Sequence, residues 1–153
     1  IDIMKQDIVV EVVERTPQTV FGVRRAINVQ DFQELFAELD ASLTKNGITA
    51  LGAPMAFYHD EDFSADDSDI EVAVPVAEGT AGSHPIEGGP HACSTLSGPY
   101  DPEAFTALYA GIMQWIDENG YHVAGSPFDV YEKGGPDVDP KDYVTEICFP
   151  IAK

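Results

Sequence analysis

The chain has 153 residues, of which 44% are hydrophobic and 23% charged, as expected for one globular domain and not for a disordered tail, a collagen or a coiled coil. Its 8 basic side chains face 27 acidic ones, which gives a net charge of −19. Direct nucleic-acid binding and docking to anionic membranes are disfavoured, because both depend on basic surfaces. The negative field permits cationic ligands.

Cysteine and histidine spacing indicates neither a metal site nor a cofactor. Cys93 and Cys148 stand in unlike contexts, with no CxxC, and are interpreted as small buried thiols. The four histidines match no metal-binding motif. The sequence shows neither a long apolar run nor a signal peptide, so we expect a cytoplasmic protein.

The first half is predicted to form two strands, a helix and two further strands, with an acidic loop before the last. Branched residues and alternation indicate the strands, and apolar residues three and four apart indicate the helix. In chain order these elements are Ile8–Val13, Thr19–Arg24, a helix from the cap Asn28 to Asn46 and Gly47, Met55–Tyr58, and Ile70–Val76.

The second half shows the clearer helix. Asp101 is predicted to cap it, Pro102 to occupy its first position, and Gly120 to follow its end. Two strands come after it, at Phe128–Tyr131 and Tyr143–Ile151.

The two halves form an internal repeat. Residues 12–58 align without a gap to 85–131, with 10 identities in 47 pairs, and Glu71 aligns with Glu146 after a slightly longer loop. The repeats span about 8–78 and 84–153 of a single domain over 1–153. One helix and about four strands per half predict an α+β protein with a mainly antiparallel sheet and pseudo-twofold symmetry. A pocket is expected along the symmetry axis.

Glu146 is the leading candidate for a functional residue. Alternation places it beside Cys148 on one face of an otherwise apolar strand, and Glu71 has similar neighbours. Such a glutamate is either solvent-facing at an edge or a pocket carboxylate that binds a cation or moves protons.

Aromatic side chains could complete a ligand site around this carboxylate. The candidates are core residues unless several line one pocket, where they would form an aromatic box for a planar or cationic ligand. They are Tyr58, Tyr131, Tyr109 and Trp115.

Three segments resemble GyrI-like small-molecule-binding domains, also called bacterial transcription activator effector-binding domains. They are the closing strand over 143–151, the helix end and following strand over 115–131, and Ser97-Gly98-Pro99-Tyr100. The resemblance implies an eight-stranded antiparallel sheet with two long helices, and an aromatic pocket with Glu146 at its floor. It also implies either a stand-alone protein or the sensor part of a longer chain with a DNA-binding domain.

Three functions remain open. The first is binding of lipophilic, cationic aromatic compounds, for ligand sensing or for sequestration of a drug or toxin. The second, also suggested by family resemblance, is hydrolysis of strained cyclopropane-type compounds, with Glu146 as general base and Tyr109 or Tyr131 as proton donor. The third is an acidic module that meets a basic protein such as a topoisomerase. The first hypothesis is favoured, which makes a binding domain more consistent with the sequence than an enzyme.

Overall fold

A computed structural model describes residues 8–28, 31–60, 68–99, 101–135 and 137–153. Most of the predicted acidic loop, 61–67, lies outside these residues. The described chain forms two α-helices, a short 3₁₀ turn at Pro140–Asp142 and nine strands. In order, the elements are β1 Glu11–Arg15, β2 Gln18–Ile27, α1 Phe32–Asn46, β3 Met55–Tyr58, β4 Ser68–Pro75, β5 His84–Ile86, β6 Gly89–Ser97, α2 Pro102–Glu118, β7 His122–Val123, β8 Phe128–Lys133 and β9 Val144–Ala152.

The strands and helices divide between two compact units. Unit 1 contains the described part of Ile1–Thr16 together with Gly88–Lys153, and unit 2 is Pro17–Glu87. The strand order is β1-β6-β9-β8 in unit 1, where β7 also pairs with β9, and β3-β4-β2-β5 in unit 2. Every one of these pairings is antiparallel. The predicted α+β class, with two helices and antiparallel sheet, is confirmed.

The core of unit 1 lies between α2 and one face of its sheet. The side chains that pack together there come from β6, α2 and β9: Ala92, Leu96, Leu108, Ile112, Ile116, Ile147, Phe149 and Ile151. Because side chains alternate along a strand, Glu146 and Cys148 lie on the opposite face of β9 from Ile147 and Phe149. The predicted alternation of β9 therefore places Glu146 on the face without the helix.

Unit 2 has the same division between two faces. Helix α1 packs against β2 and β4 and buries Leu35 and Leu39. Arg25 of β2 forms an ion pair with Glu38 of α1, and Arg25 lies opposite Ile70 in the β2–β4 register. Glu71, the next residue of β4, therefore lies on the face away from α1.

The helix ends agree with the sequence in three places and differ in one. Asp101 accepts a hydrogen bond from the Glu103 amide at 3.0 Å and caps α2, as predicted. Gly47 and Gly120 follow the two helices with positive φ, where a side chain would be strained. The prediction that Asn28 caps α1 is wrong, because the helix begins at Phe32 after Asp31.

The first strand of each repeat pairs in an equivalent way. In unit 1, Val12 of β1 lies opposite Ala92 of β6, and in unit 2, Pro85 of β5 lies opposite Thr19 of β2. The repeat alignment matches Val12 with Pro85 and Thr19 with Ala92, so the two pairings are counterparts. Strand β1 belongs to the first repeat but lies in unit 1, which holds α2 of the second repeat. Strand β5 belongs to the second repeat but lies in unit 2, which holds α1 of the first repeat. The pseudo-twofold symmetry itself stays a prediction.

Candidate functional site

The face of unit 1 away from α2 carries an ion pair and two cysteine side chains. Glu146 and Cys148 project from β9 on this face. Across the register, Cys148 lies opposite Cys93 of β6 on one side and Phe128 of β8 on the other. Directly paired residues point to the same face of a sheet, so Cys93 and Phe128 lie beside the candidate glutamate.

Arg15, the last residue of β1, is the ion-pair partner of Glu146. Its Nη1 donates to Glu146 Oε1 at 2.9 Å and to Cys148 Sγ at 3.7 Å. Its guanidinium carbon lies 5.3 Å from the centre of the Phe128 ring, within the range of a cation–π contact. The side chains of Arg15 and Glu146 are 21% and 20% exposed, so the pair is partly accessible to solvent. This face therefore holds a planar cation between a carboxylate and an aromatic ring.

Neutral groups surround this ion pair. The Cys93 thiol donates to Cys148 Sγ at 2.9 Å, and this contact together with burial raises the pKa of Cys148 far above its usual value. His91 contacts Phe128 edge-to-face, with ring centres 5.6 Å apart. Burial lowers the pKa of His91, and the charge of Arg15 lowers it further, which favours the neutral imidazole.

Glu71, the repeat counterpart of Glu146, has a different environment in unit 2. Its Oε1 lies 3.0 Å from His59 Nε2 and its Oε2 lies 2.5 Å from His84 Nε2. Burial raises the pKa of Glu71, but the hydrogen bonds and charges of the two imidazoles outweigh burial and hold it below its usual range. A Cβ on Gly22 would lie 2.7 Å from Oε2, so only glycine leaves room for this carboxylate.

Tyr109 and Tyr131 lie on the helix side of unit 1 and not beside Glu146. The hydroxyl of Tyr109 donates to Asp129 Oδ1 at 2.5 Å and that of Tyr131 to Asp129 Oδ2 at 3.2 Å. Asp129 is fully buried and lies opposite Ile147, whose side chain faces α2. The sheet separates both hydroxyls from Glu146, so these residues do not meet as an acid–base group.

The remaining aromatic candidates also pack away from the two glutamates. Trp115 stacks on Tyr121 at 5.9 Å and packs against the α2 core. In unit 2, Tyr58 contacts the Phe32 ring edge-on at 6.3 Å and lies opposite Ile70, on the face that does not carry Glu71. Among the predicted site residues, Cys148 alone lies on the same face of unit 1 as Glu146.

Sequence reasoning missed the partners of both glutamates. Arg15, Phe128, His59 and His84 were not among the candidates, although they contact Glu146, its ion-pair partner or Glu71. Arg15 and Glu146 are 131 positions apart, and no local motif links them. One signal in the sequence could have found two of these partners. The predicted strands Met55–Tyr58 and Phe128–Tyr131 come directly before the strands that carry Glu71 and Glu146, and consecutive strands often pair as neighbours. Such pairing places His59 near Glu71 and Phe128 near Glu146.

The sequence matches the GyrI-like small molecule binding domain over residues 9–152, so the chain belongs to this family. The chain is thus a GyrI-like small-molecule-binding domain. Among the described residues, neither helix is long and apolar enough to cross a membrane. No curated protein matches the sequence.

Solved structures of low sequence identity share the fold. The C-terminal domain of EcmrR superposes with a TM-score of 0.85 at 24% identity, covering 95% of this chain and 98% of that domain. In EcmrR bound to DNA the TM-score is 0.80 at 24% identity, and the match covers 95% of this chain and 58% of that one. SAV2435 bound to tetraphenylphosphonium gives 0.60 at 16% identity, with 94% of each chain covered. A hydrolase from Listeria innocua gives 0.60 at 14% identity, covering 94% and 91%.

Proposed function

We propose that this domain binds lipophilic aromatic cations, with Glu146 as the charge partner of the ligand. One observation carries the proposal: Glu146 and Phe128 already hold the guanidinium of Arg15, at 2.9 Å from the carboxylate and 5.3 Å from the ring centre. A carboxylate beside an aromatic face is the combination that attracts a delocalised organic cation. A ligand of this kind would take the place of the Arg15 guanidinium.

Glu146 is the better charge partner of the two glutamates. The side chain of Glu71 is only 7% exposed, and each of its oxygens contacts an imidazole. A ligand that paired with Glu71 would have to displace two histidines from a buried carboxylate, at the cost of their hydrogen bonds. Glu146 is bound by one partly exposed arginine, whose long side chain can move aside.

Charge and structural neighbours support a cationic ligand. The net charge of −19 raises the local concentration of cations at the surface. A protein of the same fold, SAV2435, has been solved with tetraphenylphosphonium, a bulky aromatic cation. We further propose that the domain senses ligands for a DNA-binding partner domain, since this fold makes up 58% of the EcmrR chain in its DNA complex. Sequestration without a DNA-binding partner is the second version of the same binding function.

Isothermal titration calorimetry with tetraphenylphosphonium and with neutral triphenylphosphine oxide tests the proposal. Glu146→Gln should weaken binding of the cation by about 2–5 kcal/mol, the range for losing one partner of a buried charge pair, and change the neutral compound much less. Glu71→Gln serves as the matched control and should bind the cation almost as the wild type does. Equal losses for the cation in the two variants, or equal losses for the two compounds, would refute the assignment of Glu146.

A further inference from the structure

Two thiols and a carboxylate meet on the face of unit 1 that carries Glu146. One ligand atom from each of Cys93, Cys148 and Glu146 lies within 4.8 Å of the others. The two cysteines are directly paired across β6 and β9, and both are buried, with 3% and 0% exposure. We infer that these three residues form a binding site for one thiophilic divalent metal ion, zinc(II) or cadmium(II).

The donor set suits this class of ion. Thiolates favour soft d¹⁰ metals, and zinc accepts sulfur at about 2.3 Å together with carboxylate oxygen at about 2.0–2.2 Å. Tetrahedral geometry places two such sulfurs roughly 3.7 Å apart. The Sγ atoms are 2.9 Å apart in this structure, so they must separate by less than 1 Å, which rotation about the Cα–Cβ bonds can supply. Three protein ligands leave a fourth position for water.

Arg15 balances the charge of the occupied site. Two thiolates and the Glu146 carboxylate carry three negative charges, and a divalent ion with the Arg15 guanidinium carries three positive ones. Arg15 donates to Glu146 Oε1 at 2.9 Å, which leaves the second oxygen for the metal, and it lies 3.7 Å from Cys148 Sγ. An outer donor of this kind orients a metal ligand and stabilises its charge.

Metal binding at this site is a proton exchange without any change of oxidation state. The two S–H bonds break, two metal–sulfur bonds form, and two protons pass to solvent for each ion bound. The cysteines are 55 positions apart, so no sequence motif marks the pair, and only the register of β6 against β9 brings them together. The site shares Glu146 with the proposed organic cation, but its test needs no organic ligand, so either proposal can fail alone.

Titration of the reduced chain with cadmium(II), after removal of the reductant, tests the inference. A thiolate-to-cadmium charge-transfer band in the ultraviolet should saturate at one ion per chain, and zinc(II) should compete for the site. Cys93→Ser and Cys148→Ser should each abolish or strongly shift the band. Glu146→Gln should keep it with an affinity lowered about tenfold or more, whereas the control Glu71→Gln should behave as the wild type. An unaltered titration in Cys93→Ser, or saturation at one ion per two chains, would overturn the site.

Two measurements on the unmodified chain guard against misfolded variants. The cadmium NMR resonance of the wild type should fall where two sulfur ligands place it, and a weakly buffered titration should release about two protons per ion. A resonance typical of oxygen ligands only, or binding without proton release, would contradict thiolate ligation whatever the variants do.

Discussion

Arg15 is expected to act as an internal competitor of the cationic ligand, so replacing it should strengthen binding. Arg15→Met keeps the length and apolar stem of the side chain but removes its charge. In that variant a lipophilic cation meets a Glu146 carboxylate without its ion-pair partner and a Phe128 ring without the guanidinium above it. Tetraphenylphosphonium should therefore bind more tightly to Arg15→Met than to the wild type.

The contacts of Arg15 set the size of the expected gain. Opposite charges about 4 Å apart attract by roughly 4 kcal/mol at an effective dielectric constant near 20, whereas fully exposed pairs retain about 0–1 kcal/mol. Arg15 and Glu146 are about one-fifth exposed, which places them between these limits. Displacing the arginine should cost the ligand about 1–2 kcal/mol, so its removal should tighten binding roughly 5–30-fold.

Calorimetry on Arg15→Met and on a charge-matched control separates local from general electrostatics. Arg24→Met removes the same charge from unit 2, where Arg24 donates to the two oxygens of Asp69 at 2.8 and 2.6 Å. The control should change tetraphenylphosphonium binding little at physiological ionic strength, because Arg24 is exposed and salt screens exposed charges. Weaker binding in Arg15→Met, or a gain no larger than that of Arg24→Met, would show that Arg15 does not compete for Glu146.

Three further predictions concern stability. The pKa of Glu71 is lower in the folded chain than in the unfolded one, so its contribution is present above pH about 4.3 and is lost as the pH falls through the folded value. In urea denaturation the wild type should therefore have a higher free energy of unfolding than Glu71→Gln at pH 7, and this difference should shrink in acid. A difference that stays constant with pH would contradict this reasoning. Tyr109→Phe removes one hydrogen bond to the buried Asp129 and should lower the free energy of unfolding in urea by about 1–3 kcal/mol. Its affinity for tetraphenylphosphonium should not change. A loss of affinity would place Tyr109 in the ligand site. Asp101→Ala should lower the free energy of unfolding by about 0.5–2 kcal/mol, because the Asp101 side chain caps α2. Asp31→Ala should lower it less, because the Asp31 side chain makes no capping hydrogen bond to α1. Equal effects of the two substitutions would argue against side-chain capping.

Local patterns in the sequence located both helices, the strands β1–β4, β8 and β9, and the orientation of β9, but gave no bounds for β5, β6 or β7. The alternation of β9 predicted that Glu146 and Cys148 share a face, and the capping residues of α2 predicted its first turn. The four-residue strand Met55–Tyr58 also appears with the predicted bounds. These features depend on neighbours within a few positions, which a single sequence displays directly.

Long-range pairing was not predictable from the same signals. Nothing near Arg15 indicates Glu146, because their contact depends on how β1, β6 and β9 align in the sheet. Likewise, the sequence identified Tyr109 as an aromatic candidate for the ligand site but could not show that its hydroxyl reaches Asp129 of β8. Register and tertiary packing decide such contacts, and one residue of register shift would move a side chain to the other face.

The placement of β1 in unit 1 and of β5 in unit 2 has a consequence for biosynthesis. Unit 2 is continuous from Pro17 to Glu87, so the ribosome delivers all its strands before β6, which begins at Gly89. Strand β1 is made before unit 2 but pairs with β6, which is made after unit 2. Pairing between strands so far apart in the sequence slows folding, and until β6 is made the unpaired β1 can pair with other chains. Because Arg15 lies in β1 and Glu146 in β9, their ion pair forms only after β9 has been translated. A chain that terminates before β9 could thus complete unit 2 yet lack the face of unit 1 on which Glu146 binds Arg15.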